Sequence, residues 1–231
     1  MELNLDKIQA QFTSLQAQKE ESLRTRFRFE ATPEEVAAHL RRFYLLEVEK
    51  RGVALPALDE FTDAKIASVS RWLTVGKKPG LFLCGNIGTG KTTMARAVVG
   101  LINAAGWSAY ASDRKCVMSV TAKELAEMKS ADTTAVSSNP DAFFDSRKRA
   151  GMLFIDDLGT ERTVTKSWGN EQTPVVDLLF YRYDRQLFTI ITSNLDSPDT
   201  ICEKYGPRVT DRMNEMFDFI NYNNKASYRK R

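Results

Sequence analysis

The sequence predicts an α/β domain: a parallel sheet flanked by helices on both faces, preceded by a small helical region. Three observations predict it. From Lys77 onward, short apolar runs alternate with longer amphipathic segments, the texture of strands joined by helices. One such run, LFLC at 81–84, leads directly into a glycine-rich loop and then a helical stripe. Another, MLFI at 152–155, is continuously apolar, as a strand covered on both faces must be, and ends in two carboxylates.

The N-terminal elements come first. Leu5, Ile8, Phe12 and Leu15 recur at spacings of three and four, the seam of an amphipathic helix. The stripe then fades into a heavily charged stretch over 19–28. Thr32-Pro33-Glu34-Glu35 reads as a helix start, with a capping hydroxyl, proline in the first helical position and acids in the first turn. Val36, Leu40, Phe43 and Tyr44 give that helix an apolar face, and Gly52 ends it. A linker over 53–58 contains Pro56 and precedes a further helix through Trp72. The domain boundary is expected near residue 60, with 1–60 a helical partner-binding region and 61–231 the sheet domain.

Beyond the strand at 81–84, Met94, Ala97, Val98, Leu101, Ile102 and Ala105 form a helical stripe. Residues 107–111 read as a second strand, and the Ser/Thr/Ala/Asn-rich segment 131–141 as a mobile loop. Val175, Val176, Leu179, Phe180 and Tyr183 mark a helix; 187–192 is a β-branched strand, and 217–222 a last short one.

Composition narrows the function classes. The 231 residues are 42% hydrophobic and 27% charged, which builds a core and excludes wholesale disorder. No stretch approaches the roughly 20 apolar residues that span a bilayer, and the N-terminus lacks the basic-then-apolar pattern of a secretory signal. A cytoplasmic protein without a membrane partner is expected. Cys84, Cys116 and Cys202 lie far apart with no CxxC pair, against a zinc ribbon or disulfide framework. The lone histidine, His39, excludes a multi-histidine metal site. A net charge of +3 is too small to identify a nucleic-acid partner.

The chemistry lies at the strand ends. Residues 85–92, GNIGTGKT, fit GxxxxGK[ST] between a strand and a helix, the setting a phosphate-binding loop requires. Glycines let the backbone curl and aim N–H groups at phosphates, and the helix N-terminus adds partial positive charge. Gly85, Asn86, Gly88, Thr89, Gly90, Lys91, Thr92 and Thr93 are therefore the candidate nucleotide-binding set. Lys91 is placed to reach the β- and γ-phosphates and the Thr92 hydroxyl to ligate Mg²⁺. Asp156 is assigned to the metal and Asp157 to the attacking water, with Glu161 as a helper. Asn194 ends another strand in IITSN at 190–194, where ligands meet a parallel sheet, and is assigned to the water or γ-phosphate. Arg212, and after it Arg208, can face a neighbouring subunit and stabilise transition-state charge there.

The ordered set GNIGTGKT, FIDDLGTE, ITSN and YGPRVTDRM, spread over about 61–231, resembles the AAA+ ATPases, and within them the DnaC/DnaI-type replicative helicase loaders, with IstB-type transposition ATPases nearby. The resemblance implies an AAA+ P-loop fold, ATP with Mg²⁺ as cofactors, and ATP hydrolysis at the boundaries of a homo-oligomer. It implies engagement of a hexameric replicative helicase through the N-terminal region, and placement of that helicase on single-stranded DNA. By position Asn194 matches the family's sensor 1, and Arg212 its arginine finger. Many relatives carry Glu where this chain has Asp157. No full C-terminal lid is expected, since fewer than about ten residues follow the last expected strand; Arg229 is the candidate for sensor 2. The family's DNA-contacting helical structure maps to 112–150, which holds Arg114, Lys115, Lys123, Lys129, Arg147, Lys148 and Arg149, with Phe143 and Phe144 for stacking. The seam of Leu5, Ile8, Phe12 and Leu15 is either a helicase-docking helix or packs on the second N-terminal helix. An IstB-like transposition ATPase and an ATP-gated switch with little turnover are the alternatives.

Overall fold

The computed structural model describes residues 5–24, 27–52, 58–106, 116–128, 139–167, 170–223 and 227–228. Its strands are β1 (Gly80–Cys84), β2 (Met118–Thr121), β3 (Met152–Leu158), β4 (Thr165–Ser167), β5 (Asn170–Gln172), β6 (Phe188–Ser193) and β7 (Phe217–Asn221). Five of them form one sheet in the order β2-β3-β6-β1-β7, every pairing parallel. β4 and β5 pair with each other as a separate antiparallel hairpin.

The order fixes the site. After β1 the chain crosses to the far edge at β2, returns through β3 and β6, and then passes β1 to reach β7. The reversal opens the crevice between β1 and β6, where open parallel sheets bind ligands at their strand C-termini. β3 lies on the other side of β6, so three adjacent strands deliver their ends to one place.

Period-two alternation divides the core between the two faces. Leu81 and Leu83 of β1, Phe154 of β3 and Ile190 of β6 pack on one side. Phe82 and Cys84, Leu153 and Ile155, and Ile191 pack on the other. The first face is covered by α2 (Pro33–Glu49), α3 (Glu60–Val75) and α4 (Lys91–Ala104), through Leu40, Tyr44, Ile66, Leu73, Met94 and Val98. The core runs unbroken across residue 60. The opposite face carries α5 (Ala122–Glu127), α6 (Pro140–Lys148), α7 (Pro174–Asp184), α8 (Pro198–Tyr205) and α9 (Pro207–Met216). Each buried Leu, Ile, Val, Met or Phe contributes on the order of 1.5–3 kcal/mol, so both layers are held firmly.

Local chemistry starts and stops the helices. Thr32 caps α2 in a reciprocal capping box with Glu35, the start the sequence predicts. Arg28 anchors the segment before it, donating to the carbonyls of Gly76 (2.7 Å) and Lys78 (2.8 Å) beneath the Trp72 ring. Helix α1 spans Leu5–Arg24. Ile8, Phe12 and Leu15 are 49%, 54% and 62% exposed, so these three do not pack on α2. The Leu5 side chain lies outside the described residues.

Two expectations fall between 107 and 150. Residues 107–111 lie outside the described set, and the strand beside β3 is Met118–Thr121. The interval 112–150 is thus not purely helical. Four residues are too few to display an alternation, and Thr121 ends the strand by capping α5. The loop expected over 131–141 stops by Asn139, whose side chain caps α6 with Pro140 in the first turn; 131–138 lie outside the described residues.

A fully buried arginine locks the far end of the sheet. Arg182 of α7 donates to the Thr189 hydroxyl (2.8 Å) and to the carbonyls of Phe188 (2.6 Å) and Ala150 (2.7 Å), with longer contacts to those of Arg147 and Lys148. It gathers the frayed C-terminus of α6 and the start of β6 in one planar fork. Among the described residues no helix is long and apolar enough to cross a membrane.

Candidate active site

The loop 85–90 joins β1 to α4 with three left-handed glycines, Gly85 (φ 121°), Gly88 (φ 79°) and Gly90 (φ 97°). At all three a Cβ would also be crowded, at Gly90 by the Tyr44 hydroxyl at 2.7 Å. A Cβ on Gly85 would sit 2.9 Å from the Tyr222 carbonyl carbon and the Asn223 nitrogen, and one on Gly88 would sit 2.1 Å from the Ser227 hydroxyl. The C-terminal segment therefore presses against the outside of the loop. Asn86 Nδ2 donates to the Asn223 carbonyl (2.6 Å), and the Tyr228 N–H donates to the Gly88 carbonyl (2.9 Å). The Tyr228 hydroxyl reaches both carboxylate oxygens of Asp59 (3.0 and 2.9 Å) and lies 2.9 Å from the Thr62 hydroxyl. Asp59 is itself the N-cap of α3. One tyrosine thus ties the phosphate loop to the start of α3.

Inside the loop, Thr89 donates to the Asn86 carbonyl (2.8 Å). Lys91 is buried, its ammonium folded back onto the carbonyls of Gly85 (2.7 Å) and Asn86 (2.6 Å) and onto Asn194 Oδ1 (3.0 Å). This links the lysine to the candidate sensor across the β1–β6 crevice. Thr93 is buried in the first turn of α4, so its backbone N–H, not its side chain, is what it offers a ligand.

Asp156 is buried at the end of β3. Its Oδ1 accepts from Thr92 Oγ1 (2.9 Å) and Thr192 Oγ1 (2.6 Å), and its Oδ2 lies 3.4 Å from Arg96 Nη2. Asp157 is exposed and left-handed (φ 55°), one of two non-glycine residues with positive φ among the described residues. Its N–H donates to Thr192 Oγ1 (2.9 Å). Asp tolerates this region better than most residues, and such strain gathers at functional sites.

The residues present fit a magnesium nucleotide. The glycines leave room for close approach of phosphates, and Lys91 occupies a cradle of carbonyls that a phosphate can replace as its partner. Thr92 and Asp156 pair hard oxygen donors 2.9 Å apart. No cluster of three carboxylate, Cys or His ligands occurs among the described residues. Mg²⁺ does not need one, because phosphates and waters complete its shell.

Other expectations shift. Glu161 is buried and committed elsewhere: its carboxylate accepts from the Gly159 N–H (2.9 Å) and from the Tyr205 hydroxyl, and its carbonyl from Lys204 (2.7 Å). It anchors α8 and is no helper for Asp157. Burial and this carboxylate push the Tyr205 phenol far above its usual range. Arg212 lies over the rings of Phe180 (4.3 Å to the centroid) and Tyr183 (5.2 Å), against its own α7, whereas Arg208 is exposed in the first turn of α9. Phe144 is buried in the core and unavailable for stacking. Phe143 lies under the Arg147 guanidinium at 3.7 Å, Lys148 lies over Tyr181 at 5.1 Å, and Lys123 pairs with Glu127 at 3.7 Å. Arg114, Lys115, Lys129 and Arg229 lie outside the described residues.

Sequence reasoning passes over Thr192, Arg96 and Tyr228. Thr192 has a legible signal: it stands two residues before Asn194, on the same face of a strand whose end reaches the crevice.

Comparison with known proteins agrees with this geometry. The family model for the "ATPase family associated with various cellular activities (AAA)" matches residues 81–219, more than half of the chain. The crystal structure of DnaI is similar in fold, with a TM-score of 0.53 and 21% identity over 78% of this chain and 93% of that one. AMPPCP-bound DnaA from Aquifex aeolicus matches with a TM-score of 0.49 and 15% identity, over 75% of this chain and 50% of that one. The DnaC helicase loader matches with a TM-score of 0.49 and 18% identity, over 72% and 93%. No curated protein matches the chain.

Proposed function

We infer what this protein does from one premise: the chain belongs to the AAA family of ATPases. Our reading is an ATP-dependent loader of a replicative DNA helicase that hydrolyses ATP at subunit boundaries and contacts single-stranded DNA. The observation that carries the chemistry is the convergence of Lys91, Thr92, Asp156, Asp157 and Asn194 at the ends of three adjacent parallel strands.

In the mechanism, Lys91 leaves the Gly85 and Asn86 carbonyls and moves its three N–H donors to β- and γ-phosphate oxygens. The loop N–H groups and the first turn of α4 take the remaining phosphate charge. Thr92 and Asp156 would hold Mg²⁺, which neutralises charge on the β- and γ-oxygens when bound. Asp157 orients a water for in-line attack on the γ-phosphorus and accepts its proton as the bond to the ADP oxygen breaks. Asn194, released by Lys91, holds the γ-phosphate or the water. Arg208 or Arg212 of a neighbouring copy completes the charge stabilisation, and of the two Arg208 is the more exposed. Catalysis is positioning plus electrostatics.

The loader role is supported by the motif set, by the fold shared with DnaI, and by α1, whose apolar seam faces solvent as a docking helix must. The basic residues Lys123, Arg147, Lys148 and Arg149 are the described candidates for DNA phosphates.

Two measurements test the reading. Lys91→Ala is expected to abolish binding of a fluorescent ATP analogue; unchanged affinity and turnover overturn the site. The full chain used as bait is expected to recover a hexameric helicase, and Phe12→Glu with Leu15→Glu to lose it. A transposase recovered instead refutes the loader role.

A further inference from the structure

Thr192 stands at a register shift in the sheet. β3 and β6 pair in register through Ile155 opposite Ile191, and again at Leu158 opposite Ser193. Between these points β3 has two residues, Asp156 and Asp157, and β6 has one, Thr192. This is a β-bulge, which leaves a ladder N–H without its usual carbonyl and re-aims the side chains of the bulged strand. The fully buried Thr192 hydroxyl repairs the gap in both directions. Its oxygen accepts the Asp157 N–H (2.9 Å), and its own proton goes to Asp156 Oδ1 (2.6 Å). That carboxylate oxygen is the one that also receives the Thr92 hydroxyl (2.9 Å).

We propose that Thr192 is a positioning residue that sets both acids at once, aiming the Asp156 carboxylate at Thr92 and holding Asp157 in its left-handed pose. The polarity is specific. A hydroxyl both donates and accepts, valine of the same shape does neither, and serine does both. Without the hydroxyl, Asp156 Oδ1 keeps only the Thr92 hydroxyl as a donor, and the carboxylate is no longer fixed from the β6 side. The part-buried Asp157 N–H then loses the Thr192 oxygen as its acceptor, and the bulge relaxes. The inference rests on the ATPase reading of the same site.

The experiment compares wild type, Thr192→Val and Thr192→Ser. Affinity for a fluorescent ADP analogue is measured in Mg²⁺ and in EDTA, and ATP turnover alongside. In Thr192→Val the EDTA affinity is expected to stay within about threefold of wild type. The gain conferred by Mg²⁺ is expected to shrink about tenfold, with kcat falling more than KM rises, and Thr192→Ser to restore both. A Thr192→Val protein with the wild-type Mg²⁺ gain and turnover overturns the proposal. So does a Thr192→Ser protein as impaired as the valine variant, because packing rather than the hydroxyl would then matter. If Thr192→Val does not fold, Thr192→Cys, a weak donor of similar size, replaces it, and the order serine above cysteine is required. A wild-type chain that binds no nucleotide refutes the ATPase reading itself, an outcome separate from any difference among the variants.

Discussion

Replacing Tyr228 by phenylalanine removes one hydroxyl from the strap that runs from Gly88 to Asp59. The bonds lost are those to the Asp59 carboxylate (2.9 and 3.0 Å) and the contact with Thr62 (2.9 Å). A hydrogen bond to a charged acceptor contributes about 1.5–3 kcal/mol, and this half-exposed one belongs at the lower end. About 1.4 kcal/mol is a factor of ten in the balance between seated and released strap. A released strap withdraws the Tyr228 N–H from the Gly88 carbonyl and leaves the loop less ordered. Nucleotide affinity is therefore expected to fall by up to about tenfold. Titration with a fluorescent ADP analogue measures it in wild type, Tyr228→Phe, Asp59→Asn and the double variant. Asparagine keeps the N-cap, so α3 is undisturbed and only the charge on the hydroxyl's partner is lost. The two changes are expected to couple by about 1 kcal/mol. Affinity within about twofold of wild type in Tyr228→Phe, or strictly additive single effects, refutes the reasoning.

Other expectations follow from residues already placed. Arg182→Met strips three buried carbonyl or hydroxyl partners at 2.6–2.8 Å of their donor. It is expected to cost about 3 kcal/mol, lowering Tm by roughly 6–12 °C in a thermal scan; a shift under about 2 °C contradicts the clasp. Burial pushes the Cys84 thiol up to about 11 and the Tyr44 phenol up to about 12, and Tyr205 and Tyr222 rise further. Above about pH 9 for the thiol and about pH 10 for the phenols the unfolded chain sheds these protons first, so stability is full at neutral pH and falls as pH rises through this range. A urea midpoint equal at pH 8 and pH 10.5 would rule this out. Arg208→Ala is expected to lower turnover more than Arg212→Ala while ATP binding persists, and Arg212→Ala to lower Tm through the lost stacking on Phe180. Turnover lost only in the Arg212 variant reverses that assignment.

The phosphate loop was legible because its chemistry is local: glycine spacing, one lysine and one threonine in eight consecutive residues. The strands carrying Leu81, Phe154 and Ile190 were legible because burial on both faces writes a continuous apolar run. Asp156 and Asn194 could be placed from the rule that parallel strands bring their C-termini together. β2 escaped because MSVT is short and mixed. The role of Thr192 was hidden because a bulge belongs to the pairing of two strands 35 residues apart, and neither strand shows it alone. Tyr228 was hidden for a similar reason, since its partners at 59, 62 and 88 are distant in sequence. Glu161 and Phe144 misled because a carboxylate near an acidic pair and a phenylalanine in a basic stretch look the same in sequence whether they face the solvent or the core.

The left-handed backbone at residue 157 also limits what mutation can explore there. Asparagine is at home in the same conformation and has nearly the same size. An aspartate codon becomes an asparagine codon by one base change. On the proposed reading, such a chain keeps its fold and its grip on nucleotide but lacks the carboxylate that would take the water's proton, and in a mixed oligomer each arrested copy would occupy a boundary that a working neighbour needs. The allele is therefore expected to be dominant over wild type, whereas loss of the binding lysine, which empties the site, is expected to be recessive.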